Sequence, residues 1–549
     1  MKKRFSLFIA LISLLLLSCF AFAAFGAFAE TDGEQETETQ VEFSKEITAI
    51  TPKNGETVSL VNKYIETLFD RFNGEYSSVS KLLNITDEMA TFTDALRDED
   101  AVRAQDAVRA LYNKFDDFKP VNNVLKWDYA GDAESYTVVV STKADLSTYI
   151  YKGDTADAEL LLDNILYPEE NYFWQVSANL AGGESVVSDI FAFTTKDTIR
   201  TIDIDGVSNT RDIGGFDTPY GKTLNGLVYR CARIDDITEK GIAQMDALKI
   251  KSDVDLRNLN EGKRNPSERE NDYAYLCAPM YLSVFDVSVK ENVKNVVSLF
   301  ADPDNYPIIF HCSVGRDRTG SLSFILNNLL GVSQEEIICE YLTSFFSVTG
   351  SLSVSKEESE LLEAIKAMYI ILDGYAGENY AEKTASFLIS CGITEVEIDA
   401  IRDIFTGKIA IENPRQETEN ADYQNKFIVS FRCFGKAERF VAVDSGAVVA
   451  APYDLENGYV WTVNGSVADF SQPITADTDF VAEKVEGFTV SFIVGGEKTE
   501  AFYITGATVD LSQFEKADYY TFFVNQAGDL LDALVVNGDT TISVIYIKK

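Results

Sequence analysis

The chain has 549 residues, of which 48 are basic and 87 acidic, giving a formal net charge of −39, and it contains a single histidine. A field of that sign repels nucleic acid and anionic membranes at long range, so no nucleic-acid partner is expected. One histidine excludes a multi-histidine metal site, and the cysteines show no metal-ligand spacing, so neither a metal nor another cofactor is expected.

Residues 1–29 read as a signal peptide. Lys2, Lys3 and Arg4 precede a long apolar run, and Ala27-Phe28-Ala29 forms a small-x-small cleavage site before Glu30. Lipid attachment at Cys19 is the weaker alternative, because Leu17-Ser18 fits its pattern poorly. No later stretch reaches membrane-spanning length without charges. The expectation is therefore a protein secreted or held at the extracellular surface. The six cysteines left after processing are sparse and irregular, unlike a disulfide scaffold.

Residues 41–197 carry short alternating runs: Val124–Trp127, Ser135–Ser141, Tyr172–Ala178 and Phe191–Thr195, with Thr51–Val58 as a first strand. That spacing, with Trp127 and Trp174 as core aromatics, predicts an all-β sandwich. The segment from about 61 to 115 is rich in Leu, Ala, Glu and Arg and reads as a helical insertion. The strand pattern resembles a fibronectin type III domain.

Residues 200–410 hold the chemistry. Tyr306–Phe310 reads as a short buried strand, and Ser321–Leu330 as a helix stopped by Gly331. Between them lies His311-Cys312-Ser313-Val314-Gly315-Arg316-Asp317-Arg318-Thr319-Gly320. A strand, a tight loop and a helix N-terminus make an anion cradle, since backbone N–H groups converge there and the helix dipole favours negative charge. Cys312 supplies a thiolate whose pKa such a site lowers. Arg318 can grip two phosphoryl oxygens with its planar fork. Ser313, Val314, Gly315, Arg316 and Thr319 complete the cradle, and Thr319 is placed to donate to the departing sulfur. His311 is read as orienting the loop rather than moving protons.

This segment resembles the Cys-x5-Arg superfamily of protein tyrosine and dual-specificity phosphatases. It is closest to a bacterial branch reading His-Cys-x-x-Gly-Lys-Asp-Arg-Thr-Gly, with Arg316 in place of Lys. That branch includes secreted phosphatases, some acting on phosphoinositides. Asn209–Gly215, Gly226–Arg230 and Val254–Arg257 followed by Glu261 are similar to its upstream motifs. The resemblance implies an α/β fold, a central sheet with helices on both sides, and hydrolysis through a phosphocysteine. It names Asp317 as the acid; a loop-stabilising carboxylate paired with an arginine is the equal alternative. Asp212 and Asp286 stand in reserve, and Arg211, Arg230 and Arg257 are read as ion-pair partners of the framework. Gln334–Phe405 is expected to be helical, with part of it able to cover the site. Two rival functions stay open: a phosphoinositide or inositol-phosphate phosphatase, and an inactive phosphatase fold that only binds. A low-pKa thiolate outside the cell oxidises readily, so a reducing setting, or a reversible Cys231–Cys312 disulfide, is expected.

Residues 411–425 form a polar linker. Beyond it, 426–485 and 486–549 repeat: Phe427–Phe431 recurs as Phe488–Phe492, and Asp477-Thr478 as Asp539-Thr540. Both units alternate apolar and polar residues and predict two small β modules. They resemble short repeats of Gram-positive surface proteins, which implies cell-wall or surface contact as their role.

Overall fold

The computed structural model describes residues 40–41, 47–63, 65–66, 120–121, 123–196, 199–258, 274–277, 290–345, 365, 367–412, 415–456 and 458–549. The expected signal peptide, most of the expected helical insertion, Glu261 and Asp286 lie outside the described residues.

The central feature is a five-stranded sheet whose strands are β1 (Arg211–Asp212), β2 (Val228–Cys231), β3 (Ser252–Asp255), β4 (Ala274–Cys277) and β5 (Ile308–His311), in the order β1-β2-β5-β3-β4. The pairs among β2, β5, β3 and β4 are parallel, and β1 is an antiparallel edge. Side chains alternate between faces along each strand. Val228, Val254, Ile308 and Phe310 enter one core, shared with α2 (Lys290–Ser298), α3 (Asp317–Leu330), α4 (Gln334–Leu342), α5 (Tyr380–Cys391) and α6 (Glu395–Phe405). Tyr229, Cys231 and Ile309 face the other way, onto Met245 of α1 (Glu239–Ala247). Helices therefore cover both faces, as parallel strands require.

Two local expectations shift. The strand runs Ile308–His311, two residues later than expected at its start, because Pro307 has no N–H to donate and only its carbonyl is used, by Lys251 N and Ser252 N. The helix expected from Ser321 begins at Asp317, since the chain turns at Gly315 and enters the helix at once. Its stop is as read: Gly331 is left-handed, and Val332 N returns to Asn327 O at 3.0 Å. Within Gln334–Phe405 the described helices α5 and α6 put Phe387, Leu388, Ile398, Ile401 and Ile404 into the core. These two helices are framework; residues 346–364 and 366, where the expected cover could also fall, lie outside the described residues.

Upstream, Ile47–Thr51, Val124–Tyr129 and Glu159–Leu161 form one sheet, and a six-stranded sheet contains Ser135–Ser141, Asn171–Asn179 and Phe191–Thr195. Both contribute to one core that buries Trp127 and Trp174. Val61 and Ile65 leave this unit and join the core of the α/β region.

The two C-terminal units share a topology. In each, the first strand (Phe427–Arg432 or Gly487–Val494) pairs antiparallel with the second and parallel with the last. The same side chain closes both: Ile428 N donates to Asp477 Oδ1 at 2.9 Å, and Thr489 N to Asp539 Oδ1 at 2.8 Å. The recurring Asp, exposed in both units, is thus a register lock as well as a surface charge.

Candidate active site

Cys312 follows the end of β5 and lies under the N-terminus of α3, 2 % exposed. The first-turn N–H groups of a helix have no partners within it and point outward along the axis. Here the Thr319 N–H of that turn reaches the sulfur, joined by the Val314 N–H of the loop. Burial alone pushes the thiol up. The Thr319 hydroxyl, the backbone N–H groups of Thr319 and Val314, and the charge of Arg318 outweigh it, so the net direction is below the ordinary thiol value. Thr319 Oγ1 is buried without a well-formed hydrogen bond among the described residues, which leaves its proton available to the sulfur beside it.

Arg318 turns into the loop, not outward: Nη2 is 3.3 Å from Ser313 Oγ and Nη1 3.4 Å from the carbonyl of Leu256. Gly315 has φ 73°, and a Cβ there would lie 2.4 Å from the carbonyl of Cys231, so only glycine lets the loop cross β2. Gly320 serves differently. Its added Cβ would meet the Tyr341 ring at 2.7 Å, so the lack of a side chain lets α4 close on α3.

The loop is braced from below by a buried triad. Arg230 donates to both oxygens of Glu340 (2.9 and 2.8 Å) and to the carbonyl of Gly315 (2.6 Å). Arg211 Nε reaches Glu340 Oε1 at 2.7 Å, and its Nη1 holds Asn209, whose amide donates to the carbonyls of Val314 (3.2 Å) and Gly315 (3.1 Å). Burial raises the Glu340 carboxyl, but the two guanidiniums overcome that and hold it below its usual value. Burial, with Arg230 beside it, pushes Arg211 down to about 10. Two guanidiniums share one carboxylate, so an excess positive charge stays beneath the cradle.

The other framework residues are committed elsewhere. Asp212 is fully buried and accepts from Gly214 N (2.9 Å), Gly226 N (2.6 Å) and Arg200 (3.2 Å), so it is removed from the reserve of acids. Arg257 forks onto Asp235 (2.7 and 2.9 Å) and Asp255 (2.9 Å). Asp317 sits at the mouth, 39 % exposed, with Arg316 Nε 3.2 Å from its Oδ1. The described cysteines 231 and 312 are both free thiols; burial, reinforced by Asp253, pushes Cys231 well above the ordinary value. His311 is fully buried, with Nδ1 3.3 Å from the carbonyl of Cys312 and Nε2 3.1 Å from Asp253 Oδ1.

Residues 202–406 match the sequence profile of the Tyrosine phosphatase family. The matched region is a cysteine-based phosphatase. A relative named "Putative tyrosine-protein phosphatase", from Cupriavidus necator, is 24 % identical over 200 residues, which is 31 % of this chain and 72 % of that one. A tyrosine-protein phosphatase of Nostoc commune is 25 % identical over 154 residues, covering 24 % of this chain and 52 % of its own length. Among solved structures, the core catalytic domain of the PP-IP phosphatase SIW14 from S. cerevisiae is similar at 18 % identity and TM-score 0.19, covering 26 % of this chain and 86 % of that one.

The phosphatase domain thus brings together every loop residue singled out in the sequence, with Arg211, Asp212, Arg230 and Arg257 behind them. Two residues of the site lie outside every motif and leave only a misplaced charge as local signal. Glu340 is a carboxylate in the buried stripe of α4, between Ile337 and Tyr341, and that misplaced charge was its one visible trace. Asp253 is a charge inside a parallel strand, where an apolar residue is the rule.

Proposed function

We propose that the protein is an exported enzyme that hydrolyses phosphate monoesters, phosphotyrosine foremost, through a phosphocysteine. Cys312 Sγ attacks phosphorus as the ester P–O bond breaks, and Asp317 protonates the departing oxygen. Water then displaces the sulfur, releasing inorganic phosphate, and Thr319 donates to the thiolate as it leaves. Arg318 and the N–H groups of the loop hold the phosphoryl oxygens throughout. The observation that carries this reading is the thiol held low at a helix N-terminus beside Arg318.

A phenol, with a pKa near about 10, leaves more readily than an alkyl hydroxyl, which suits an acid as exposed as Asp317. The names of the two relatives point the same way. Export rests on residues 1–29. The fibronectin type III-like sandwich and the two repeats are assigned to holding the enzyme at a wall or surface.

The test is hydrolysis of p-nitrophenyl phosphate by wild type and Cys312→Ser, with a loss of at least about a thousandfold expected. Equal rates would leave a phosphatase fold that only binds. A panel of phosphotyrosine peptide, phosphoserine peptide and phosphoinositide then ranks the substrates; a clear preference for the lipid would replace phosphotyrosine.

A further inference from the structure

Asp253 is the least expected side chain in the phosphatase domain. It is a fully buried carboxylate on the α1 face of the sheet, and neither oxygen has a well-formed hydrogen bond among the described residues. An unpaired buried carboxylate is costly, because nothing replaces the water it gave up. It needs a cation. The ring of His311, 3.1 Å from Asp253 Oδ1, is the ionisable donor in contact with it.

The surroundings of that ring are equally specific. Nε2 faces the Asp253 carboxylate, and Nδ1 faces the backbone carbonyl of Cys312 at 3.3 Å, with Asp255 Oδ1 4.0 Å away. All three neighbours are acceptors. A neutral imidazole has one N–H and one lone pair, so beside an ionised Asp253 either tautomer would aim a lone pair at an acceptor oxygen. The doubly protonated ring offers an N–H on each side, at ion-pair range of Asp253 through Nε2, though without a well-formed hydrogen bond there, and toward the Cys312 carbonyl through Nδ1. The other groups acting on this pair are the Cys231 thiol on β2, beside Asp253, and Arg257, which is already held by Asp235 and Asp255. Met245 of α1, with Leu248 and Ile250 beyond it, closes this face with apolar surface and no charge.

We propose that Asp253 holds His311 as an imidazolium that donates from Nδ1 to the carbonyl of Cys312, making Asp253 a positioning residue for the nucleophile. The proposal rests on the reading of Cys312 as that nucleophile. The Asp253 contact fixes the ring, and the ring fixes the peptide from which the sulfur projects. Burial pushes His311 down, and the charge of Asp253, with Asp255 behind it, more than restores it, so the ring sits above its ordinary value. The charged ring therefore adds stability that is complete below about 6.5, the unfolded value, and lost as pH rises through the folded value.

The chain's lone histidine makes the test direct. Protein labelled with 15N-histidine and carrying no histidine tag gives one imidazole signal, from His311. Its nitrogen shifts distinguish imidazolium from either neutral tautomer without any assay of turnover. Wild type should show the doubly protonated ring at neutral pH, and Asp253→Asn the neutral ring. A neutral ring in wild type, or a ring unchanged by Asp253→Asn, overturns the proposal even if the enzyme is fully active. On the catalytic side, Asp253→Asn should lower kcat for p-nitrophenyl phosphate about tenfold, with KM within about twofold. It should add nothing further in a His311→Gln background. Additive losses would mean that Asp253 acts on the fold and not through His311. If Cys312→Ser retained full activity while the ring proved doubly protonated, the phosphatase reading would fail and the Asp253–His311 assignment would stand.

Discussion

Cys312 and Cys231 are both buried thiols close enough to influence each other electrostatically, yet they are driven in opposite directions. At Cys231 burial acts with Asp253 and the charge of Cys312, so its proton is held tightly. At Cys312 burial is outweighed by the Thr319 hydroxyl, two backbone N–H groups and Arg318. The thiolate is the reactive form. Lowering its pKa moves the rising limb of the pH–rate curve toward acid, so hydrolysis should persist well below pH of about 8.5, the value for a free cysteine. The same asymmetry governs alkylation. Near neutral pH a small reagent such as iodoacetamide should modify Cys312 at least about tenfold faster than Cys231, and inorganic phosphate should protect it. Peptide mass spectrometry over time reads both rates; preferential modification of Cys231 would contradict the electrostatics described.

The short helix α4 shows how one element can serve two ends of a site. A capping box starts it, with Ser333 and Glu336 each bonding the other's backbone, so its register is fixed from its first turn. That register delivers Glu340 to Arg211 and Arg230, and Tyr341 to the space left by Gly320. Glu340→Gln keeps the shape and removes the charge, leaving two buried guanidiniums without a counter-ion. A loss of about 3–5 kcal/mol in urea unfolding is expected. Because the folded carboxyl lies below its ordinary value, its contribution is intact above the unfolded pKa and disappears as pH falls through the folded one. The stability curves of wild type and variant should therefore converge in acid, and parallel curves would argue against the triad. Gly320→Ala should cost about 1–3 kcal/mol by overpacking against Tyr341, with partial recovery in Gly320→Ala/Tyr341→Leu. These elements also mark where sequence reading stops. The loop from His311 to Gly320 was legible because its chemistry is consecutive in the chain: strand, turn and helix N-terminus each have a local signature. Glu340 lies 129 residues from the Arg211 that it neutralises, and Asp253 acts through a histidine on a neighbouring strand. No local pattern encodes such pairings. They follow from sheet order and helix packing, which only the fold supplies.

At the scale of the whole chain, residues 411–425 do more than connect. They read as a polar linker because no apolar periodicity runs through them, yet polar groups fasten them down. Thr418–Glu419 pairs antiparallel with Thr148–Tyr149, and Asn420 is buried, with its backbone N–H bonded to Ser147 O at 2.8 Å and its amide to Leu146 O at 3.0 Å. Arg415 forks onto Glu170 at 2.6 and 2.9 Å and lies 3.9 Å from the centre of the Tyr167 ring. Arg200 lies 4.2 Å from that same ring and reaches Asp212 at 3.2 Å. One tyrosine thus joins the strap, the sandwich and the sheet that carries the catalytic loop. Arg415→Ala should cost about 2 kcal/mol, since charge-assisted hydrogen bonds to a half-buried carboxylate are among the stronger polar contacts. Arg415→Lys should recover little, because an ammonium can neither fork onto Glu170 nor stack on Tyr167. Limited proteolysis should then cleave within 411–425 in both variants and leave wild type intact there. Turnover of p-nitrophenyl phosphate per folded molecule should stay within about twofold. Asp212 keeps its two backbone N–H donors whether or not Arg415 is present, so the loosening should stop at Arg200 and not reach Cys312. A loss of turnover that tracked strap release would show instead that the sandwich holds the catalytic loop in place.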